Sequence, residues 1–285
     1  MLLGITGGSG FYSIKSLNVK EKRSVWTPFG MPSSDLIFGE IDGNSVVFLA
    51  RHGEGHTIPP HNINYRANIW ALKNAGVTHL VAVSAVGSLR EDLPPGTFVA
   101  VDQFIDFTKN RKSTFFDDLA CHVSFAEPVC SELADMVILA AENSGVDIAK
   151  NGTYICIEGP EFSSKAESAF FRLINASVIG MTNVTEARLA KEAELHFSTL
   201  AMVTDYDCWR EEETPVTVET VMDTIRQNGE KANSTIENLV KYFKSGSFKC
   251  NTCNNSLSGA IMTDMNKLSS AKREELKLFT GRFHK

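Results

Sequence analysis

Residues 185–207, TEARLAKEAELHFSTLAMVTDYD, contain a helical segment, a buried strand and a pair of acids in direct succession. The spacing predicts a helix over 185–195, and the apolar run that follows predicts a strand over 197–204. Two acids one residue apart, Asp205 and Asp207, stand where this strand ends. Buried carboxylates are costly unless charged or hydrogen-bonding groups meet them, so this pair indicates a site at the strand end.

The same alternation of strand and helix continues through the chain. Helices are predicted over 62–73, 128–143, 164–174 and 216–243. Strands are predicted over 2–6, 36–41, 45–50, 79–85, 98–101, 153–157 and 176–180. This order predicts an α/β fold with a mixed sheet flanked by helices. After residue 243 the composition shifts to Ser, Lys, Asn and Cys, which predicts an α/β domain over 1–243 and a cysteine-containing segment with a charged tail over 244–285.

Composition narrows the classes of partner. The 285-residue chain has a formal net charge of -6 and no long basic run, so no nucleic-acid surface is expected. No apolar run reaches the roughly 20 residues of a membrane span. The amino terminus lacks the charged region of a signal peptide. We therefore expect a cytoplasmic protein with small-molecule partners.

Six cysteines stand at positions 121, 130, 156, 208, 250 and 253. The pair Cys250-x-x-Cys253 fits a redox pair, half of a zinc site or chance. No second C-x-x-C and no histidine pair at zinc spacing accompany it, so the sequence predicts no metal. A local disulfide is the favoured interpretation, although it needs an oxidising setting or a hyperthermophile interior.

Several predicted strands end in residues that can contact a ligand. Hydrogen-bond donors at these ends are Ser9, Arg51, His52, Ser84 and Thr182. Phe162 could stack on a planar base, and the acids Asp205 and Asp207 follow the last strand. Each has a structural interpretation when taken alone, such as a tight turn at Gly7-Gly8-Ser9-Gly10 or core packing of Phe162. Because ligands of α/β sheets bind outside the carboxyl ends of strands, the set together predicts a site for phosphate and a heterocycle.

These segments resemble a known family. Its motifs are similar to GGSGFY (7–12), RHGEGHTIPPHNINYRANIWALK (51–73), SAVGSLRED (84–92), DQFID (102–106), IEGPEFSSKAES (157–168), IGMTNVTEARLAKEAE (179–194) and MVTDYDCW (202–209). From about Leu3 to about Val240 the chain resembles the trimeric purine nucleoside phosphorylases, and most closely their 5′-methylthioadenosine branch. The resemblance implies a single α/β domain with a partly closed mixed sheet, assembled as a homotrimer or a dimer of trimers. It also implies phosphorolysis of 5′-methylthioadenosine to adenine and 5-methylthioribose 1-phosphate, with inorganic phosphate as co-substrate and no cofactor.

The resemblance assigns residues to the three parts of the substrate pair. Those implied to surround phosphate are Ser9, Arg51, His52, Ser84, Ala85 and Thr182. Those implied on the ribose and 5′ side are Met181, His56, His122, Val216, Val218, Val221 and Met222. Of these, His122 is implied to reach into a neighbouring subunit's pocket, and the last four to form an apolar wall for the methylthio group. Helix core packing is the alternative for that wall.

Asp205 is the candidate general acid for the purine N7, because breaking the glycosidic bond leaves negative charge on the base. Its pKa would be raised by burial or by the bound base. Asp207 would hold the network on the base side, and Phe162 and Ser163 would line the base. The alternative for both acids is capping of the following turn.

The sequence departs from the branch at three positions. Glu161 and Lys165 replace arginines, and Thr185 stands where the branch has proline. Glu161 reverses a charge beside Phe162. Two alternatives therefore stay open: a phosphorylase with other or broader specificity, such as adenosine or methylthioinosine, and a catalytically weak nucleoside-binding homologue.

Overall fold

The computed structural model describes residues 1–8, 10–11, 14–210, 218–243 and 248–283, without the side chains of 218–221. The strands are β1 Leu3–Gly7, β2 Asn18–Arg23, β3 Leu36–Ile41, β4 Asn44–Ala50, β5 His79–Ser88, β6 Phe98–Val101, β7 Gln103–Phe107, β8 Ile148–Lys150, β9 Thr153–Ile157, β10 Val178–Gly180 and β11 His196–Asp205. The helices are α1 Tyr65–Asn74, α2 Ser131–Glu142, α3 Lys165–Leu173, α4 Asn183–Glu192, α5 Val218–Phe243 and α6 Ser270–Thr280.

One mixed sheet of 11 strands organises this single α/β domain, which confirms the predicted fold class. Its main path runs β2-β3-β4-β1-β5-β10-β9-β7, and β11 leaves the path at β5 and continues through β6 to β8. Strands β4, β1, β5 and β11 are mutually parallel. Their carboxyl ends therefore meet at one edge of the sheet, where ligands of such sheets bind.

Apolar side chains bury both faces of the sheet centre. Every residue of β11 before Asp205 is buried, as expected for a strand covered on two sides. One core cluster joins α2 and α5 to this strand through residues such as Leu133, Leu239 and Leu200. A second cluster packs α1, α4 and α6 against the other side. The rigid centre holds the strand ends in fixed positions.

Three strands were missed by sequence analysis. All six residues of β2 are exposed, so no alternation of apolar and polar side chains marks this strand. Strand β8 has only three residues, and β7 carries few buried side chains. Backbone pairing with β3, β6 and β9 creates these strands, and that pairing is nonlocal. Within the described residues, no helix is long and apolar enough to cross a membrane.

Candidate active site

A pocket of about 500 Å³ opens at the edge where the parallel strands end. It is lined by Arg51, His52, His56, Thr57, Pro59, Pro60, Ser84, Ala85, Val86, Gly87, Ile157, Pro160, Phe162, Ser163, Ile179, Gly180, Met181, Thr182, Thr204, Asp205, Asp207 and Ile225. The volume suits a small ligand such as a nucleoside. We refer below to its Arg51 end and its Asp205 end.

Arg51 follows β4 directly and is fully buried. Its Nε donates to Glu186 Oε1 at 2.6 Å and Nη1 donates to the Val83 carbonyl at 3.2 Å. Nη2 donates to Thr6 Oγ1 at 3.1 Å and to the Thr6 carbonyl at 3.5 Å. A guanidinium has five N–H donors, which leaves one Nη1 N–H without a partner among the described residues. The ion pair with Glu186 cancels most of the charge, so this end offers fixed donors rather than a strong net positive charge.

The helix α4 begins beside Arg51 and adds to the donors. Thr182 is its N-cap residue and lines the pocket, yet its side chain does not cap the helix. The first N–H groups of a helix have no partner within the helix, and they favour an anion. Ser84 lies nearby, with its hydroxyl 3.3 Å from that of Tyr154. The Arg51 end therefore combines a guanidinium, two hydroxyls and a helix N-terminus.

His52 faces the same end and is uncharged at neutral pH. Burial lowers its pKa to about 4, and the charge of Arg51 acts in the same direction. Its Nδ1 lies 2.9 Å from the Ile58 carbonyl, so Nδ1 carries the proton. The ring stacks on that of His56 with centroids 4.5 Å apart. An anion placed next to Nε2 would raise the pKa and make His52 a second cationic donor.

A β-bulge aims Asp205 at the pocket. The register between β11 and β5 shifts between Val203 and Asp205, which redirects the side chain at the end of the strand. Oδ2 of Asp205 accepts from the Thr204 hydroxyl at 2.6 Å, and Oδ1 accepts from the Asp207 backbone N–H at 2.8 Å. A Cβ at Gly87 would lie 2.9 Å from Oδ1, so only glycine lets the carboxylate sit there.

The two acids differ in their surroundings. Asp205 accepts hydrogen bonds from the Thr204 hydroxyl and from the Asp207 backbone N–H. Burial raises the pKa of Asp207, and the Asp205 carboxylate contributes in the same direction. The backbone hydrogen bond between them is the turn contact considered from the sequence, but both side chains also line the pocket.

The remaining groups at the Asp205 end suit a planar base. The Ser163 hydroxyl is buried and has no hydrogen-bond partner among the described residues, which indicates that a ligand completes it. Phe162 lines the pocket and is 57% exposed, so it is not a core residue. Its neighbour Glu161 is exposed and does not line the pocket. The charge reversal therefore lies outside the cavity.

Most of the predicted site residues meet in this pocket. Those that line it are Arg51, His52, His56, Ser84, Ala85, Phe162, Ser163, Met181, Thr182, Asp205 and Asp207. Ser9, Val216 and the side chains of Val218 and Val221 lie outside the described residues. His122 and Met222 are exposed and do not line the pocket of the single chain. In the described part of α5, Ile225 lines the cavity, three residues further along the helix than Met222.

Sequence reasoning missed two residues that organise the site. Glu186 is 1% exposed and forms an ion pair with Arg51, although sequence analysis assigned no role to Glu186. Its signal was an acid inside the first turn of an otherwise apolar-faced helix. The Thr204 hydroxyl contacts both the Val86 carbonyl and the Asp205 carboxylate. In the sequence, Thr204 could not be distinguished from an ordinary strand residue. Arg51 is distant in sequence from Glu186, and Val86 is distant from Thr204, so both pairings required the fold.

Comparison with known proteins identifies the class. Residues 3–241 match the model of the phosphorylase superfamily, and the chain belongs to this superfamily. The S-methyl-5′-thioadenosine phosphorylase of Koribacter versatilis is 45% identical over 283 residues, which cover 99% of this chain and 96% of that protein.

Solved structures agree with this placement. A methylthioadenosine phosphorylase from an antarctic soil metagenomic library has a TM-score of 0.91 and 43% identity, covering 97% of this chain and 98% of its own. The methylthioadenosine phosphorylase of Schistosoma mansoni in complex with adenine has a TM-score of 0.86 and 35% identity, covering 93% and 99%. These similarities confirm the resemblance to the 5′-methylthioadenosine branch.

Proposed function

We propose that this protein catalyses the phosphorolysis of 5′-methylthioadenosine to adenine and 5-methylthioribose 1-phosphate. One observation carries the proposal: anion donors and a pair of carboxylates occupy opposite ends of a single nucleoside-sized pocket. The relatives named for this activity support the same substrate. Phosphate is the nucleophile, so the reaction requires no catalytic serine or cysteine.

Phosphate binds at the Arg51 end. The Nη1 donor of Arg51, the Ser84 hydroxyl and the N-terminus of α4 at Thr182 contact its oxygens, with Ser9 and Ala85 completing the set. Charge-assisted hydrogen bonds of this kind are short and strong. The buried partner Glu186 fixes the guanidinium plane, so its donor points into the pocket before phosphate arrives. The approaching anion also stabilises the positive charge that develops on the sugar.

Adenine binds at the Asp205 end, between Phe162 and the carboxylates. Asp205 protonates N7 as the glycosidic bond breaks, and Asp207 accepts from the exocyclic amino group or from a shared network. Burial raises the pKa of Asp207, and the Asp205 carboxylate acts in the same direction. Asp205 takes its proton from solvent before the base fills the pocket and excludes water, and it gives that proton to N7.

The sugar lies between the two ends. Met181 and His56 line the pocket and would contact the ribose and its 5′ substituent. We propose that Ile225, which lines the pocket, forms the apolar wall for the methylthio group together with Val216, Val218, Val221 and Met222. We propose that His122 reaches the pocket of a neighbouring subunit in a homotrimer, since it is exposed in the single chain. Assembly would then close the open side of the site.

A release assay tests the function. Purified protein is incubated with 5′-methylthioadenosine, adenosine or inosine, each with and without phosphate, and free base is measured. We expect adenine release that requires phosphate and is fastest from 5′-methylthioadenosine. Faster release from adenosine or inosine would favour the phosphorylase of other specificity. Binding of nucleoside without release would favour the catalytically weak homologue and refute the proposal.

A further inference from the structure

Four side chains from three distant parts of the chain meet in one cluster far from the pocket. Cys130 precedes α2, His196 is the first residue of β11, and Cys250 and Cys253 belong to the segment after α5. Their Sγ and ring nitrogen atoms all lie within 4.8 Å of one another. We call this group the Cys3His cluster.

Two of the six separations within the cluster match the edges of a tetrahedral metal site. Zinc–sulfur bonds of about 2.3 Å and zinc–nitrogen bonds of about 2.0–2.1 Å place two sulfurs about 3.8 Å apart, and a sulfur and a nitrogen about 3.6 Å apart. The Sγ atoms of Cys250 and Cys253 are 3.7 Å apart. Sγ of Cys130 lies 3.5 Å from Nδ1 of His196. Both separations are edges of a tetrahedron of the size that zinc requires.

The disulfide favoured from the sequence is not formed. All six cysteines are free thiols, and the 3.7 Å separation is far from the bonded length of about 2.05 Å. A bond between Cys250 and Cys253 would also leave Cys130 and His196 facing it with only each other as partners. Sequence analysis did not predict zinc because the other two ligands, Cys130 and His196, lie at no recognisable spacing from the C-x-x-C pair.

The cluster is enclosed as structural metal sites are. Cys130, His196 and Cys253 are 2%, 6% and 4% exposed. Phe248 packs edge-on against the His196 ring, with centroids 4.7 Å apart, and His79 stacks on its face at 4.5 Å. Cys250 is half-buried. Burial of an imidazole is unfavourable without a polar partner, and four protein ligands leave no open coordination position for a substrate.

Hydrogen bonds hold the ligand-bearing backbones in place. The Cys130 N–H donates to the Phe197 carbonyl at 2.8 Å, which joins the start of α2 to the start of β11. The Lys249 N–H donates to Glu132 Oε1 at 2.7 Å, which joins the C-terminal segment to the same helix. Cys130 also stands at the N-cap of α2, beside the N–H groups of the first turn. Such a supporting shell orients metal ligands.

We propose that the Cys3His cluster binds one Zn²⁺ ion in a closed, four-coordinate structural site. Three thiols lose their protons to solvent as the metal binds, and neutral imidazole supplies the fourth ligand through Nδ1. Thiolate and imidazole ligands select zinc over magnesium or calcium. The site ties the segment after α5 to the core. It has no part in the chemistry, because His196 and Asp205 are at opposite ends of a ten-residue strand, about 30 Å apart at about 3.3 Å per residue.

Metal analysis of the full-length protein tests the proposal. The protein is purified without chelator, its affinity tag is removed, and metals are quantified by mass spectrometry. We expect about one zinc per chain in the wild type and in Cys121→Ser, a matched half-buried cysteine outside the cluster. Cys253→Ser should lose at least about nine-tenths of the zinc. Equal zinc in both variants, or iron in place of zinc, would overturn the assignment.

Two further measurements keep the test decisive if Cys253→Ser does not fold. Wild-type protein with zinc replaced by Co²⁺ should show the intense visible bands of tetrahedral cobalt and a near-ultraviolet thiolate band. Zinc removal should lower the melting temperature by about 5 °C or more and make residues 248–283 the first site of proteolysis. Metal-free wild-type protein without cobalt bands, or a Cys250–Cys253 disulfide in freshly purified protein, would refute the site.

Discussion

Replacement of Asp205 by asparagine separates its structural role from its chemical role. In Asp205→Asn, Oδ1 still accepts the Asp207 N–H. The amide nitrogen then faces the Thr204 hydroxyl, which can turn its proton fully towards the Val86 carbonyl, 3.1 Å away, and accept from the amide. Both of these hydrogen bonds have a replacement, so the free energy of unfolding should fall by no more than about 1 kcal/mol.

The chemical consequence should be far larger. An amide can donate a hydrogen bond to N7 but cannot transfer a proton, and loss of a general acid costs about 100-fold or more in turnover. This corresponds to about 2.7 kcal/mol of transition-state stabilisation. The amide N–H also suits a carbonyl at purine position 6. We therefore expect inosine or methylthioinosine to gain relative to 5′-methylthioadenosine.

The assay is kcat for base release at saturating phosphate, with urea denaturation in parallel. Asp147→Asn, an exposed aspartate, is the control for the loss of one negative charge. The Asp207→Asn variant tests whether the proton that is transferred to N7 comes from Asp207 instead of Asp205. A kcat for Asp205→Asn within threefold of the wild type would refute the general-acid assignment.

Three other predictions follow from named contacts. The double variant Arg51→Met/Glu186→Gln removes both charges of the buried pair, because a single removal would leave an uncompensated ion at a cost of about 3–5 kcal/mol. The double variant should raise the KM for phosphate at least tenfold and keep the nucleoside KM within threefold of the wild type. Equal rises in both constants would contradict the phosphate role of Arg51. Burial raises the pKa of Glu192 to about 7, so this group stabilises the fold fully below about pH 4.5 and the contribution is lost as pH rises through 7. Between pH 5 and pH 8, the free energy of unfolding measured in urea should therefore fall by about 2 kcal/mol more in the wild type than in Glu192→Gln. Parallel pH profiles of the two proteins would contradict the assignment. His122→Ala should raise the nucleoside KM, and co-refolding it with Asp205→Asn should give more activity than the two proteins assayed separately; simple additivity would exclude a contribution across subunits.

Much of the fold and the pocket could be predicted from local pattern and motif. The segments that form β1, β4, β5 and β11 are strongly apolar, as is typical of strands that are buried on both faces of a sheet. Each ends in a turn or polar residue. Since parallel strands end at the same edge of a sheet, the residues at these strand ends were expected to lie together, and most of them line the pocket.

Pairings between distant residues depended on the tertiary structure. Strand β2 exists because β3 pairs with it, and its own side chains carry no signal. The register shift that aims Asp205 is a relation between β11 and β5. Glu186 becomes the partner of Arg51 only when α4 packs against β5 and β11.

The Cys3His cluster separates the two kinds of information most clearly. The sequence by itself determined the α/β fold, the family and the residue types at the strand ends, because local hydrophobic periodicity and contiguous motifs encode them. Only the tertiary structure brought positions 130, 196, 250 and 253 together. The physical reason is that a metal site requires atoms within a few ångströms, and separation along the chain says nothing about that distance until packing fixes it.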